Sequence, residues 1–278
     1  MNIVTLQTFL AIVETGSLVR ASERLHVTQS TVTARLRTLE EELGQTLLHR
    51  QKSGATLTAA GTKLLRYAEI MTGLWRQARQ ETALPQGTES VCNFGCDPDL
   101  WPGLGRVVFD EVNAGNPKMA LSAWKGEPDE LYRMLGAGLL DVALTYRLGA
   151  PGNQTIHRLP ADALKLYATE PDRPMRFDPG YIFVDLGEEF RREHAKAYAD
   201  AGTARVSFGS AVWALDFLLE NGGSAYLPER LARPHLTAGR LFVIPDAPQF
   251  RRAIFLVVND RAAADWRWVP GLIARLAA

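Results

Sequence analysis

The feature that most narrows the possible folds is a pair of apolar helical stripes on two helices, the second of which begins three residues after the first ends. Leu18, Ala21 and Leu25 fall at i, i+3 and i+7, and Val32, Leu36, Leu39 and Leu43 follow at steps of four, three and four. Each set lines one side of a 3.6-residue helix and has to be buried. Thr28 stands where the second helix needs an N-cap, just after the turn residue Val27. Ahead of both, Leu6, Phe9, Leu10 and Val13 mark a first amphipathic helix ended by Gly16, and Ser17 offers a cap oxygen to the next. Half a revolution from the second stripe lie Ser30, Thr33, Ala34 and Arg37, short side chains from which one guanidinium projects.

Helix, short turn, helix with a polar outer face is the helix-turn-helix pattern, whose second helix enters a major groove. The chain has 278 residues with 31 basic and 31 acidic side chains, so net charge identifies no partner. The distribution is more informative. Residues 1–80 hold Arg20, Arg24, Arg35, Arg37, Arg50, Lys52, Lys63, Arg66, Arg76 and Arg79 against six Glu, and the remainder is mildly acidic. Cys92 and Cys96 are the only cysteines and their spacing fits no common zinc or redox pattern. No charged-then-apolar segment precedes Phe9 and no apolar run is long enough for a membrane span, so the expectation is a cytoplasmic protein without a membrane partner.

Phe9, Val13, Gly16-Ser17-Leu18, Ala21, Leu25, Val27-Thr28-Gln29-Ser30, Val32-Thr33, Leu39-Glu40, Leu43-Gly44, Leu47, Arg50 and Leu57-Thr58 with Ala60-Gly61 resemble, in order, the N-terminal signature of LysR-type transcriptional regulators. Ser22 stands where alanine is common and Leu48 where phenylalanine is usual; both keep size or helix compatibility. The resemblance implies an α+β winged helix-turn-helix domain over 1–58, a linker and dimerisation helix with hinge over 59–89, and an α/β effector domain over 90–278. That last domain would resemble periplasmic binding proteins, with one subdomain at 90–162 and 259–278 and the other at 163–258. Residues 47–57 read as two short strands around Lys52-Ser53-Gly54, placing His49, Arg50 and Lys52 near phosphates or the minor groove. The candidate DNA contacts are Ser17, Thr28, Gln29, Ser30, Thr33, Ala34 and Arg37, with Gln29 suited to adenine, Arg37 to guanine or phosphate, and Ala34 to a thymine methyl.

From Thr58, apolar or small residues recur at Gly61, Leu64, Ala68, Met71, Trp75 and Ala78, a 3.5-residue period. This fits a seam between two copies, with Leu64, Ala68, Met71 and Trp75 as the dimer contacts, and equally a single helix lying on its own domain. A dimer would double the DNA site, and the resemblance adds tetramers built as dimers of dimers. The stretch 64–81, LLRYAEIMTGLWRQARQE, is similar to the HdfR-like subgroup of the family.

After the turn-rich segment 82–90, strand and helix alternate: strands over 90–95, 119–123 and 141–146 with helices over 100–113 and 129–139, which predicts βαβαβ and a parallel sheet. A second run follows, with strands over 163–169, 181–185, 205–208, 224–227 and 254–258 and helices over 190–201 and 211–220. Two such units leave a cleft, and ligands of open α/β sheets bind beyond the carboxyl ends of the strands. That rule places Cys96, Asp97, Trp124, Lys125, Tyr146, Phe208, Gly209 and Ser210 around its mouth. Asp97 and Asp99 there would disfavour an anionic ligand unless Lys125 compensates; the other reading is that they cap the helix beginning at Leu100.

The sequence carries no nucleophile elbow, phosphate-cradling loop or metal-ligand cluster, so it predicts no enzyme, cofactor or metal. The expected function is a sequence-specific DNA-binding transcriptional regulator, with double-stranded DNA, a second copy of itself, RNA polymerase and an unidentified small-molecule effector as partners. A ligand-independent architectural DNA-binding protein and a solute-binding α/β protein are the alternatives.

Overall fold

The computed structural model describes residues 2–51, 54–84, 87–149, 154–200, 202, 204–260, 266 and 268–277. The chain divides into two compact units, Met1–Gln86 and Gly87–Ala278.

In the first unit, α1 (Ile3–Thr15), α2 (Leu18–Arg24) and α3 (Gln29–Leu43) precede the hairpin β1 (Leu48–Gln51) and β2 (Gly54–Leu57), and α4 (Ala59–Thr82) closes the unit. Asn2, Ser17 and Thr28 cap the first three helices with side-chain oxygens. The turn between α2 and α3 is short because His26 takes the left-handed conformation, φ 52°, and Val27 N–H returns to the Ser22 carbonyl at 3.0 Å. Val32, Leu36 and Leu39 are wholly buried with Leu6, Phe9, Ile12, Ala21 and Ala68, each large side chain contributing about 1.5–3 kcal/mol of burial. Leu43 departs from the expected stripe and is 41% exposed, because the helix ends there at the left-handed Gly44. The hairpin is fixed from two sides. Glu40 Oε1 accepts from Leu47 N–H at 2.8 Å, and Ala55 N–H donates to the Gly16 carbonyl at 2.8 Å. Gly54, at φ 138°, permits the second contact, since a Cβ there would stand 2.6 Å from that carbonyl oxygen.

The second unit comprises β3 (Ser90–Cys96), α5 (Arg106–Gly115), β4 (Met119–Lys125), α6 (Pro128–Gly136), β5 (Val142–Thr145), β6 (Gln154–Ala168), β7 (Tyr181–Val184), α7 (Glu188–Ala197), β8 (Val206–Phe208), α8 (Ala211–Asn221), β9 (Ser224–Pro228), α9 (Glu229–Thr237), β10 (Phe242–Val243), β11 (Phe250–Asn259) and α10 (Val269–Ala277). Its strands join in the order β4-β3-β5-β11-β6-β9-β7-β8, with β10 beside β6. The β4-β3-β5 and β9-β7-β8 sets are parallel, and β11 and β6 run antiparallel between them, paired from Phe250↔Leu164 to Asn259↔Gln154. One half has its core around Phe94, Leu100, Leu144 and Leu256, the other around Tyr167, Phe190, Leu218 and Tyr226.

Three expectations shift. The helix expected over 100–113 is broken at Pro102 (ψ 122°) and Gly103 (φ 84°), and regular helix starts at Arg106. Strands β6 and β11 run well past the apolar windows that mark them in sequence, because each supplies the other's ladder. Helix α9, absent from the sequence reading, follows β9 directly and contains Pro234. Among the described residues no single helix is long and apolar enough to cross a membrane.

Gly61 explains how tightly α4 lies on its own unit: a Cβ there would sit 2.1 Å from the Leu47 carbonyl oxygen and 2.9 Å from Leu57 Cδ2. Gly61→Ala should therefore destabilise the N-terminal unit by about 1–3 kcal/mol, despite alanine's better helix propensity. Urea denaturation followed by circular dichroism checks this, and an unchanged or raised midpoint would show that α4 can lift off without cost.

Candidate nucleic-acid interface and ligand cleft

On α3, Gln29, Ser30, Ala34 and Arg37 are exposed and Thr33 is half-buried; Ser30, Thr33, Ala34 and Arg37 lie on the face away from the buried stripe, and Gln29 is exposed as the first residue of the helix. The first turn carries no acidic side chain, so the helix dipole presents a positive end to an approaching phosphate. Thr28 Oγ1 accepts from Thr31 N–H at 3.2 Å and shares hydroxyl bonds with Ser30 and Thr31. Its hydroxyl is thus largely committed to holding the helix end. Ser17 does the same for α2 through Arg20 N–H. Arg37 Nε lies 2.6 Å from Glu41 Oε1, but both side chains are more than half exposed, so the pair is weak and Arg37 can exchange it for another acceptor. His49 is exposed on β1 opposite Thr56. Lys52 and the side chain of Arg50 lie outside the described residues.

Of the residues expected on the α4 seam, the structure reassigns Ala68. Ala68 is fully buried in the core of its own unit, and Leu64 and Met71 pack against that core. Ala68 is consumed in covering the unit itself, while Leu64 and Met71 are half-buried; the sequence period alone could not separate this from a seam between copies. Trp75 is 49% exposed, and with Tyr67 and Leu74 it forms the apolar surface that α4 leaves uncovered.

In the second unit, Cys96, Trp124 and Lys125 line one pocket of about 300 Å³ together with Pro98, Trp101 and Ala123. The other expected mouth residues do not join them there. Phe208 packs on Phe217, with ring centroids 5.3 Å apart. Gly209 is exposed, and Tyr146 and Ser210 belong to a buried polar cluster that the sequence reading largely missed. In that cluster Tyr146 Oη donates to Asp162 Oδ2 at 2.6 Å. Arg230, on α9, donates through Nε to both Asp162 oxygens and through its Nη atoms to the carbonyls of Pro102 and Asp99 and to Tyr146 Oη. The Arg252 guanidinium stacks 3.5 Å from the centroid of the Tyr146 ring.

Of the two readings open for the acidic pair, ligand contact and helix capping, the burial of both side chains favours the second. Asp97 and Asp99 are 5% and 4% exposed. Asp97 Oδ1 accepts from Asp99 N–H at 3.0 Å, shaping the turn after β3. Asp99 caps a helix, though not the one that follows it: its carboxylate accepts from Ser210 Oγ (2.6 Å), Ala211 N–H (2.8 Å) and Val212 N–H (3.3 Å) at the start of α8. Electrostatic exclusion of anions by these two groups therefore has no basis in the geometry. Arg230, Arg252 and Asp162 left no sequence signal, since each meets partners tens of residues away without any period.

Burial pushes the Cys96 and Cys92 thiols well up, so both stay protonated and unreactive at neutral pH. Burial also lifts the Asp97 carboxyl to about 6, partly opposed by Arg252. A folded-state value above the unfolded one means that the proton stabilises the native state. The contribution is complete below about pH 4 and is lost as pH rises through about 6. Asp97→Asn keeps the oxygen that accepts from Asp99 N–H and removes the buried charge. The variant should be more stable than the parent by about 2–3 kcal/mol at pH 7.5, with the gap closing by pH 4. Thermal melts across that range check this, and a gap independent of pH would show that Asp97 is not the titrating group.

Residues 3–62 match the family model described as a bacterial regulatory helix-turn-helix protein of the lysR family. The chain is 29% identical over 272 residues to the HTH-type transcriptional regulator HdfR of Escherichia coli O45:K1, covering 95% of each chain. Its fold is similar to that of the LysR-family regulator CbnR, with a TM-score of 0.73, 18% identity and full coverage of both chains. It is likewise similar to full-length CbnR complexed with its target DNA, with a TM-score of 0.70, 19% identity and coverage of 100% and 99%. With a LysR-type helix-turn-helix over residues 3–62 and a two-part α/β domain after it in sequence, the chain is similar over nearly its whole length to LysR-type DNA-binding transcriptional regulators, HdfR among them.

Proposed function

We propose that this regulator reads its operator through Gln29, Ser30, Thr33, Ala34 and Arg37 of α3 set in a major groove, with Ser17, Thr28, His49, Arg50 and Lys52 meeting the DNA backbone. The observation that carries the reading is the division of α3. Val32, Leu36 and Leu39 are wholly buried while the opposite face keeps a row of polar side chains. A helix held so firmly by one side offers the other as a fixed template. Two copies pair through the uncovered apolar face of α4, Tyr67, Leu74 and Trp75, and pairs assemble into tetramers. The C-terminal domain takes a small molecule at the pocket lined by Trp101, Trp124 and Lys125, whose size lies at the lower end for ligand sites. The protein works in the cytoplasm as a non-enzymatic switch acting on RNA polymerase.

Genome-wide footprinting supplies the operator on which this reading is tested. Gln29→Ala or Thr33→Ala should then relax preference at particular bases, at a cost of about 1–3 kcal/mol per lost contact. Equal losses on operator and random DNA would remove these residues from base reading. Leu74→Glu should shift the sedimentation profile toward single copies at micromolar concentration while leaving each copy folded, because it places a charge where an apolar seam would close. An unchanged assembly would locate the pairing surface elsewhere.

A further inference from the structure

The carboxylate of Asp99 sits where a bound anion would sit. It is held by one hydroxyl and two backbone N–H groups at the positive end of an eleven-residue helix. Arg252 Nη1 stands 4.0 Å from Asp99 Oδ2. Asp99 comes from the turn after β3, in one half of the domain, whereas Ser210, Ala211 and Val212 begin α8 in the other half. The bonds therefore cross the cleft. A second crossing reinforces the first: Arg230 of α9 donates to the Asp99 and Pro102 carbonyls, holding the same turn from the far side.

We propose that Asp99 is a tethered surrogate ligand, which fills the cleft's anion seat and latches the two halves of the C-terminal domain together in the absence of any effector. A backbone N–H donates essentially one good hydrogen bond, and those of Ala211 and Val212 are already given to Asp99. A free carboxylate can enter this seat only by displacing Asp99. The pocket lined by Trp101, Trp124 and Lys125 includes neither Asp99 nor the start of α8, so it is a different place from the seat. The inference deepens the effector-cleft reading above, but its test needs no effector.

The test uses the full chain, with sodium acetate as the probe and sodium chloride at equal ionic strength as the reference. In the parent protein acetate should not change the melting temperature, and the amides of Ala211 and Val212 should be protected from hydrogen exchange. Asp99→Ala should speed exchange at those amides by about tenfold or more, and acetate, though not chloride, should restore protection and raise the melting temperature saturably. Asp99→Asn, whose amide oxygen can still accept from the helix end, is the second variant should Asp99→Ala fail to fold. It should stay folded, exchange faster than the parent at the two amides, and ignore acetate because its seat is still filled. The proposal is overturned if acetate stabilises the parent as it does Asp99→Ala, if acetate leaves Asp99→Ala unchanged, or if both variants keep parental exchange rates. Failure of every metabolite to shift the parent would instead count against the effector reading and leave the latch standing.

Discussion

Two long antiparallel strands carry the C-terminal domain. Because β6 and β11 pair from Phe250↔Leu164 to Asn259↔Gln154, one ladder serves as the shared edge of both parallel sets, β4-β3-β5 and β9-β7-β8. Parallel strands cannot close on themselves by short hairpins and need crossover helices to cover them. Each half therefore brings its own core and its own helix ends, and the ladder alone decides which ends face each other. The meeting of the β3 turn with the start of α8 is a product of that register. So is the reach of Arg230 across to the Pro102 carbonyl.

The helices of the N-terminal unit were legible in sequence because their determinants are local. A cap, a 3.6-residue stripe and a glycine stop all lie at or within the helix they define, and Gly16, Ser17 and Thr28 act where the sequence places them. The α4 stripe was legible as a period but not as a destination. A 3.5-residue repeat says that a face is buried and leaves open whether Ala68 meets its own domain or another copy; the core of the domain claims it.

The cleft was legible only in outline. Strand order implied where the strand ends gather, and Cys96, Trp124 and Lys125 do meet there. The polar cluster beneath was invisible, since Asp162 lies on a strand that extends beyond its apolar window and Arg230 on a helix that the sequence did not announce. Asp97 and Asp99, two residues apart, invited a single shared role. The structure separates them: one shapes its own turn, the other holds a helix more than a hundred residues away.

The wing hairpin touches the start of the helix-turn-helix through a backbone bond, Ala55 N–H to the Gly16 carbonyl, made possible by the bare Cα of Gly54. With Glu40 holding the other strand to α3, helix and wing are tied through both strands of the hairpin. A turn of α3 therefore carries the wing with it, as the two jaws of a fixed spanner move together.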